Sequence, residues 1–301
     1  MLILCFTAIE SQVMQDITEV KNTDGQLIDV EKVILDKAPR LARKIPRFIY
    51  DYLKRVVHQD TLNDAITRFK DQKGLDFVRS ILDFMGVKIT YEGLENFSVD
   101  GRFIIASNHP LGGLDGLALM LVAGNVRSDI VFPVNDLLMN VPNLIPLFIP
   151  INKHGSNSQN ITLMNDTFAA NKAILYFPAG LCSRKQNGKV FDMEWKKTFI
   201  TKARTYKRDI IPVHINGRNS EWFYNLANWR KRLGIKANIE MLYLVDEMYK
   251  QHDKSMHIIF GKPIPWTTFD NRFPDIVWAS KVKQHVYALE NNKSAFFNVT
   301  L

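Results

Sequence analysis

Cysteine is scarce. Cys5 and Cys182 are the only two in 301 residues, and they stand far apart at no metal-ligand spacing. That argues against a disulfide-stapled secreted fold and against a thiolate metal centre. The expectation is reduced thiols in a cytoplasmic setting. No run of 18 or more apolar residues occurs, so no spanning helix is expected, and any membrane contact would be from the surface. The N-terminal MLILCFTAIESQ is apolar, but it lacks a basic n-region and is too short for a secretory signal peptide. Neither GxGxxG nor a Walker motif is present, which leaves nucleotide binding unsupported. Internal repeats, low-complexity tracts and an obvious linker are missing too. What is in excess is positive charge: 39 Lys and Arg against 31 Asp and Glu, a net +8 and a pI near 9.3. With 46% hydrophobic and 23% charged residues the chain is otherwise ordinary for a globular protein. Its charge points to an anionic partner: nucleic acid, an anionic membrane face or acidic small molecules.

The hydrophobic pattern divides the chain. Residues 1–26 carry no strong pattern and are expected to be loosely ordered. From Leu27 to Phe84 the apolar spacing is helical, in IDVEKVILDK, IPRFIYDYLKRVVHQD and LNDAITRFKDQKGLDFVRSILDFMG. This sets a helical region over 1–85. From Val87 short β-rich runs take over: VKITYEGL, RFIIAS, DIVFPVN, LFIPIN, AILYFP, DIIPVHI, IEMLYLV and MHIIFGKPI. Helical stretches such as GLALMLVAG, ITLMNDTFAANK, WKKTFITKARTYKR and SEWFYNLANWRKRLG separate several of them. The alternation predicts an α/β domain over 86–270, with a mainly parallel or mixed sheet flanked by helices. A C-terminal helix from Asp275 to Glu290, within a segment 271–301, is expected to pack on it.

One stretch concentrates chemistry. RFIIAS runs into NHPLGGLDG and then into GLALMLVAG, which reads as strand, loop and helix. Open α/β sheets place ligands at such strand ends. His109 there is suited to act as a base near neutral pH, with Asp115 accepting from one ring nitrogen and leaving the other free. Gly112 and Gly113 let the chain fold back so that the two meet. The same residues allow a plainer reading, in which Asp115 caps the helix and His109 is an incidental loop residue. Three other apolar strands end in polar or cationic residues. LYFPAGLCSRK ends in Ser183, Arg184 and Lys185, LFIPINKHG in Asn152, Lys153, His154 and Gly155, and IIPVHINGRNS runs to Ser220. Together they would make one anion-binding mouth.

The ordered blocks NHP…D, a strand ending in a basic residue, FP-x-G…SR and IIPV resemble the glycerolipid acyltransferase superfamily of lysophosphatidic-acid type. The resemblance covers about residues 87–265. It is closest to the hemolysin-like branch, which includes bacterial O-acyltransferases of ornithine and glycine lipids; the branch label is not evidence of lysis. It implies a general-base mechanism: His109 deprotonates the acceptor hydroxyl, Asp115 orients His109, and the hydroxyl attacks an acyl thioester on acyl carrier protein or coenzyme A. No acyl-enzyme and no cofactor beyond that co-substrate are implied. Phe177, Pro178 and Gly180 fall at the acceptor site, with Asn108, Gly112, Gly113 and Ser183 beside it. Arg184 or Lys153 would hold the acceptor's anionic group. The usual motif has four residues between histidine and aspartate; here there are five, Pro110 to Leu114. Ala179 stands where the family has a glutamate, and the arginine of that block is displaced to Arg184. These departures point away from ordinary lysophosphatidate and toward a lyso-aminolipid with a carboxylate.

Two segments mix aromatic and basic residues. KAPRLARKIPRFIYDYLKRVV sets Lys37, Arg40, Arg43, Lys44, Arg47, Lys54 and Arg55 among Phe48, Ile49, Tyr50, Tyr52 and Leu53. SEWFYNLANWRKRLGIK sets Trp222, Phe223, Tyr224 and Trp229 beside Arg230, Lys231 and Arg232. Such segments suit an anionic bilayer surface, or else solvated faces of core helices. With a lipid substrate implied, the expectation is a bacterial enzyme bound peripherally to the inner face of the cytoplasmic membrane. Cys182 as a nucleophile is not needed by this chemistry, and His154 and His214 show no metal-ligand spacing. The competing readings are a nucleic-acid module, which explains the charge but not the ordered blocks, and a catalytically silent module that binds membrane or carrier protein. A lysophosphatidate or glycerophospholipid acyltransferase is the alternative within the enzyme class.

Overall fold

The computed structural model describes residues 29–299 apart from 38, 135–137, 151–157 and 236–237. The expectation of loose order over 1–26, and the positions Cys5, Asn152, Lys153, His154 and Gly155, lie outside the described residues.

Five helices precede the sheet: α1 (Val30–Lys37), α2 (Pro39–Ala42), α3 (Arg47–Val56), α4 (Gln59–Arg68) and α5 (Gly74–Phe84). On α3 the buried Ile49, Leu53 and Val56 recur at helical spacing. Ile49 and Leu53 join Ile34 and Ala42 in a small core of their own. Helix α5 instead sends Phe77, Val78 and Leu82 into the main core. The helical region therefore packs onto the sheet domain through its last helix.

The strands are β1 (Lys88–Glu92), β2 (Phe103–Ser107), β3 (Ile130–Val134), β4 (Phe148–Pro150), β5 (Ala173–Tyr176), β6 (Arg184–Gln186), β7 (Lys189–Phe191), β8 (Asp209–Ile215) and β9 (Ser255–Phe260). Seven of them form one sheet in the order β1-β9-β8-β2-β5-β3-β4. Strands β8, β2, β5, β3 and β4 run parallel, whereas β9 lies antiparallel to β8 and carries β1 parallel to itself. The remaining helices are α6 (Leu114–Gly124), α7 (Ser158–Ala169), α8 (Thr198–Tyr206), α9 (Glu221–Arg232), α10 (Leu244–Tyr249) and α11 (Asp275–Ala288).

Strand β2 shows why the central strands read as unbroken apolar runs. Phe103 and Ile105 face α5 and α6, while Ile104 and Ala106 face α8 and α11, so all five β2 residues are buried. From β2 the chain crosses through α6 to β3 on one side; from β5 it later crosses through α8 to β8 on the other. The carboxyl end of β2 thus lies where the crossovers diverge, the usual place for a ligand crevice.

Two expectations need correction. IEMLYLV is not a strand but a 3-10 turn, Ile239–Tyr243, continued by α10. Glu240 within it is fully buried and accepts from the guanidinium groups of Arg184 and Arg230, so ion pairing holds this apolar run outside the sheet. The SRK tip after β5 is not a free cationic end, because Arg184 opens an antiparallel hairpin of β6 and β7. Asn187 and Gly188 both have positive φ at its turn, 49° and 80°, as a two-residue hairpin turn requires.

Candidate active site

The site is built on the loop leaving β2. Asn108 is buried, and its side chain continues the β2–β8 ladder past the last backbone pair. Nδ2 donates to the Ile215 carbonyl at 2.9 Å, and Oδ1 accepts from the Ile215 N–H at 2.7 Å. This fixes the point from which His109 departs.

His109 is held at its backbone, on one face of its ring and at one ring nitrogen. Its N–H donates to Asp192 Oδ1 at 3.2 Å, and its carbonyl accepts from the Ser183 N–H at 2.7 Å. The imidazole stacks on Phe177, with ring centres 4.1 Å apart and planes at 19°, and Phe132 braces Phe177 edge-on at 5.2 Å. Nδ1 lies 3.0 Å from Asp115 Oδ2. An ionised carboxylate only accepts, so Nδ1 carries the proton and the Nε2 lone pair is free in the neutral ring. The ring keeps 16% of its exposure, and Nε2 has no hydrogen-bond partner among the described residues.

Asp115 is wholly buried at the second position of α6. Its Oδ2 also accepts from the backbone N–H groups of Leu111 (2.9 Å) and Gly112 (3.4 Å), and Oδ1 accepts from Gly116 N–H at 3.0 Å. One carboxylate therefore folds the loop, gives the Gly116 N–H a second acceptor beside the Gly113 carbonyl at 3.0 Å, and orients the histidine. Burial alone would raise its pKa, but the facing imidazole and these donors outweigh it and hold the carboxyl low. For His109, burial pulls the pKa down. Asp115's charge and hydrogen bond, with Asp192 further off, more than offset this, and the net shift is upward.

The five-residue spacing is accommodated by Gly112. Its φ is +83°, and a Cβ there would sit 2.8 Å from Leu244 Cδ2 and 3.1 Å from Cys182 Cβ. Gly113 (φ −169°, ψ −58°) does not have a positive φ, and there is open space where a Cβ would go. Only the first glycine is demanded by the fold.

The FPAG turn follows β5. Gly180 N–H closes it onto the Phe177 carbonyl at 3.0 Å, and the Pro178 carbonyl accepts from Lys196 N–H at 3.0 Å. Ala179 is buried. Lys196 is exposed, and its Nζ lies 3.4 Å from where a Gly180 Cβ would stand.

The structure commits other sequence-read residues to scaffold. Ser183 is buried, with Oγ donating to Asp192 Oδ1 at 2.6 Å. Arg184 is buried too. Its Nη1 donates to the Cys182 carbonyl at 2.9 Å and contacts Sγ at 2.8 Å, and its Nη2 donates to Glu240 Oε1 at 3.1 Å. It is therefore not a free anion clamp. Burial pushes the Cys182 thiol up to about 11 against the pull of Arg184, which removes it as a nucleophile. His214 is a core residue of β8, edge-on to Tyr287 at 5.8 Å, and burial lowers its pKa.

Sequence reasoning missed Asp192. It is fully buried and gathers His109 N–H, Ser183 Oγ and, on Oδ2, Trp195 Nε1 at 2.8 Å. Its own N–H donates to Tyr287 Oη at 2.7 Å, and its carbonyl accepts from Lys283 Nζ at 2.6 Å. The QNGK turn signal just before it marked the hairpin that delivers it.

Comparison with known proteins bears on this arrangement. The Acyltransferase family model matches residues 32–295. A lyso-glycine lipid O-acyltransferase from Bacteroides thetaiotaomicron is 49% identical over 265 residues, spanning 87% of this chain and 97% of the relative. One of the same name from Phocaeicola vulgatus is 49% identical over 273 residues, 89% of this chain and 98% of the relative. Among solved structures, the lysophosphatidate acyltransferase PlsC from Thermotoga maritima is similar at 16% identity and a TM-score of 0.41, covering 82% of this chain and 95% of that one, too remote to carry an argument. With a histidine–carboxylate pair at the crossover point of an α/β sheet and a family match over most of its length, the chain belongs to the acyltransferase family.

Proposed function

We propose that the protein transfers a fatty acyl group from an acyl thioester, on acyl carrier protein or coenzyme A, to the hydroxyl of a lyso-lipid with a free carboxylate. A lyso-glycine lipid is the first candidate, as the names of the two relatives suggest. The observation carrying this reading is the His109 Nδ1–Asp115 bond at 3.0 Å, which leaves Nε2 open beside the FPAG turn.

Nε2 takes the proton of the acceptor hydroxyl as its oxygen attacks the thioester carbonyl. Asp115 stabilises the imidazolium that forms. The tetrahedral intermediate collapses with C–O formed and C–S broken, and the imidazolium returns the proton to the departing thiolate. Phe177 holds the imidazole plane and presents an apolar wall. With Arg184 committed to Glu240, the cation at the turn among the described residues is Lys196, to which this reading assigns the acceptor carboxylate. Catalysis takes place at the inner face of the cytoplasmic membrane, where the lyso-lipid resides.

The test is acyl transfer by the purified protein, with both donors offered against lyso-glycine, lyso-ornithine and lysophosphatidate acceptors. Wild type, His109→Ala and Lys196→Ala are run together. Support is transfer to the carboxylate-bearing acceptor that vanishes in His109→Ala and shows a raised KM in Lys196→Ala. Transfer to lysophosphatidate alone would overturn the acceptor. A folded protein inert with every pair would favour the membrane- or carrier-binding module.

A further inference from the structure

The two aromatic and basic segments lie about 170 residues apart in sequence. In the fold they meet. Tyr52 of α3 and Tyr243 of the 3-10 turn share a hydrogen bond between hydroxyls at 2.7 Å. Trp222 of α9 packs edge-on against Tyr243, centres 6.2 Å apart, and against Trp229, also 6.2 Å. Phe48 and Tyr52 stand one turn apart on α3, and Trp222 and Trp229 two turns apart on α9, with Leu233 just beyond. All five are exposed, by 38 to 67%. Neither helix needs these side chains for its core, because Ile49, Leu53 and Val56 serve α3 and Phe223, Tyr224 and Ala227 serve α9.

Cations rim the cluster. Arg55 shares the Phe48–Tyr52 face of α3, and Arg47 opens that helix; Lys231 and Arg232 end α9. Asp51 is the single carboxylate on α3 against Arg47, Lys54 and Arg55. Tryptophan and tyrosine ringed by arginine and lysine match the headgroup zone of an anionic bilayer: rings at the acyl boundary, cations on lipid phosphates. No described helix is long and apolar enough to cross a membrane.

The cluster also adjoins the reaction centre. Tyr243 is followed by Leu244, whose side chain covers Gly112 in the His109–Asp115 loop. We propose that Phe48, Tyr52, Tyr243, Trp222, Trp229 and Leu233 form one face that seats on an anionic lipid bilayer, setting the His109 loop at the membrane so that the lyso-lipid acceptor enters without leaving the lipid phase. This rests on the acyl-transfer reading for its purpose, but not for the binding.

The test is co-sedimentation of the full chain with phosphatidylcholine vesicles and with vesicles containing phosphatidylglycerol. Wild type is compared with Phe48→Ser/Trp229→Ser, Arg55→Glu and, as a control at the opposite end of β2, Val99→Ser. Wild type and the control should sediment with the anionic vesicles. The aromatic double variant should bind them at least about tenfold more weakly, and Arg55→Glu should lose most of its preference for them. All variants change exposed side chains, and circular dichroism checks their fold. Acyl transfer is read in parallel: the double variant should lose transfer to vesicle-embedded acceptor but keep it toward a short-chain acceptor dispersed in water. Vesicle binding unchanged in both patch variants would overturn the proposal, as would an aromatic variant that alters only the sedimentation mass, which would make the face a self-association surface. If wild type transfers no acyl group yet the patch variants lose vesicle binding, the docking face stands and the acyl-transfer reading fails.

Discussion

The exchange Asp115→Asn separates an orienting carboxylate from a mere helix cap. In the wild type Oδ2 faces three donors, His109 Nδ1, Leu111 N–H and Gly112 N–H, and Oδ1 faces one, Gly116 N–H. An asparagine placed with its oxygen toward the three donors keeps those bonds and loses only the bond to Gly116. The reverse placement sets an NH₂ group against three donors and is disfavoured. The loop and the His109 tautomer therefore survive, at a stability cost of about 1 kcal/mol or less, because the Gly116 N–H keeps its bond to the Gly113 carbonyl. What disappears is the charge opposite the imidazolium. A charge-assisted hydrogen bond contributes roughly 1.5–3 kcal/mol against about 1 for a neutral one. The lost difference of about 0.5–2 kcal/mol acts on the step in which His109 becomes charged, and lowers kcat roughly 2- to 30-fold. The pH dependence takes its sign from the same charge. The His109 pKa is raised, so the active neutral base is lost as pH falls through a value above that of an ordinary histidine. Removing the carboxylate lowers that pKa, so the acid limb of kcat/KM moves to lower pH while the plateau falls. The assay is acyl transfer across the pH range, with the His109 ring proton followed by NMR. An Asp115→Asn enzyme with wild-type plateau and an unmoved acid limb would refute the orienting role and leave the cap alone.

Three further outcomes are expected. Gly112→Ala forces a side chain into a left-handed backbone 2.8 Å from Leu244, and should lower stability by about 1–3 kcal/mol in chemical denaturation, whereas Gly113→Ala, with open space, should stay within about 0.5 kcal/mol. Cys182, with its thiol pushed up to about 11 by burial, should resist alkylation in the native state near neutral pH, and Cys182→Ala should retain acyl transfer; rapid native labelling by mass spectrometry would contradict the burial. Asp192→Asn leaves either Trp195 Nε1 or the Ser183 and His109 donors facing an amide NH₂, and should cost about 1.5–3 kcal/mol of stability and lower kcat more than it raises KM, because it loosens the backbone that carries the base.

Features set by short-range pattern were legible in the sequence. Strand β2 and helix α6 follow from RFIIAS and GLALMLVAG, and the His109–Asp115 pair lies within seven residues of chain, so the loop between them left few ways to fold. What was not legible depends on partners distant in sequence. Asn108 meets Ile215 across 107 residues, and Asp192 reaches His109 across 83. No local periodicity encodes either contact. Arg184 shows how the failure arises: beside the site it read as a free clamp, because Glu240, 56 residues on, sits in a run whose apolar residues suggested a strand. A buried ion pair reverses both readings at once, moving IEMLYLV out of the sheet and withdrawing Arg184 from any ligand. The same logic joins the aromatic segments. Each alone is an amphipathic helix with an ordinary core face, and only the Tyr52–Tyr243–Trp222 contacts turn their outer faces into one surface beside the His109 loop. The His109–Asp115 pair is thus written locally, while the placement of charge and of the exposed aromatic face is decided by tertiary contacts between segments that carry no mutual signal.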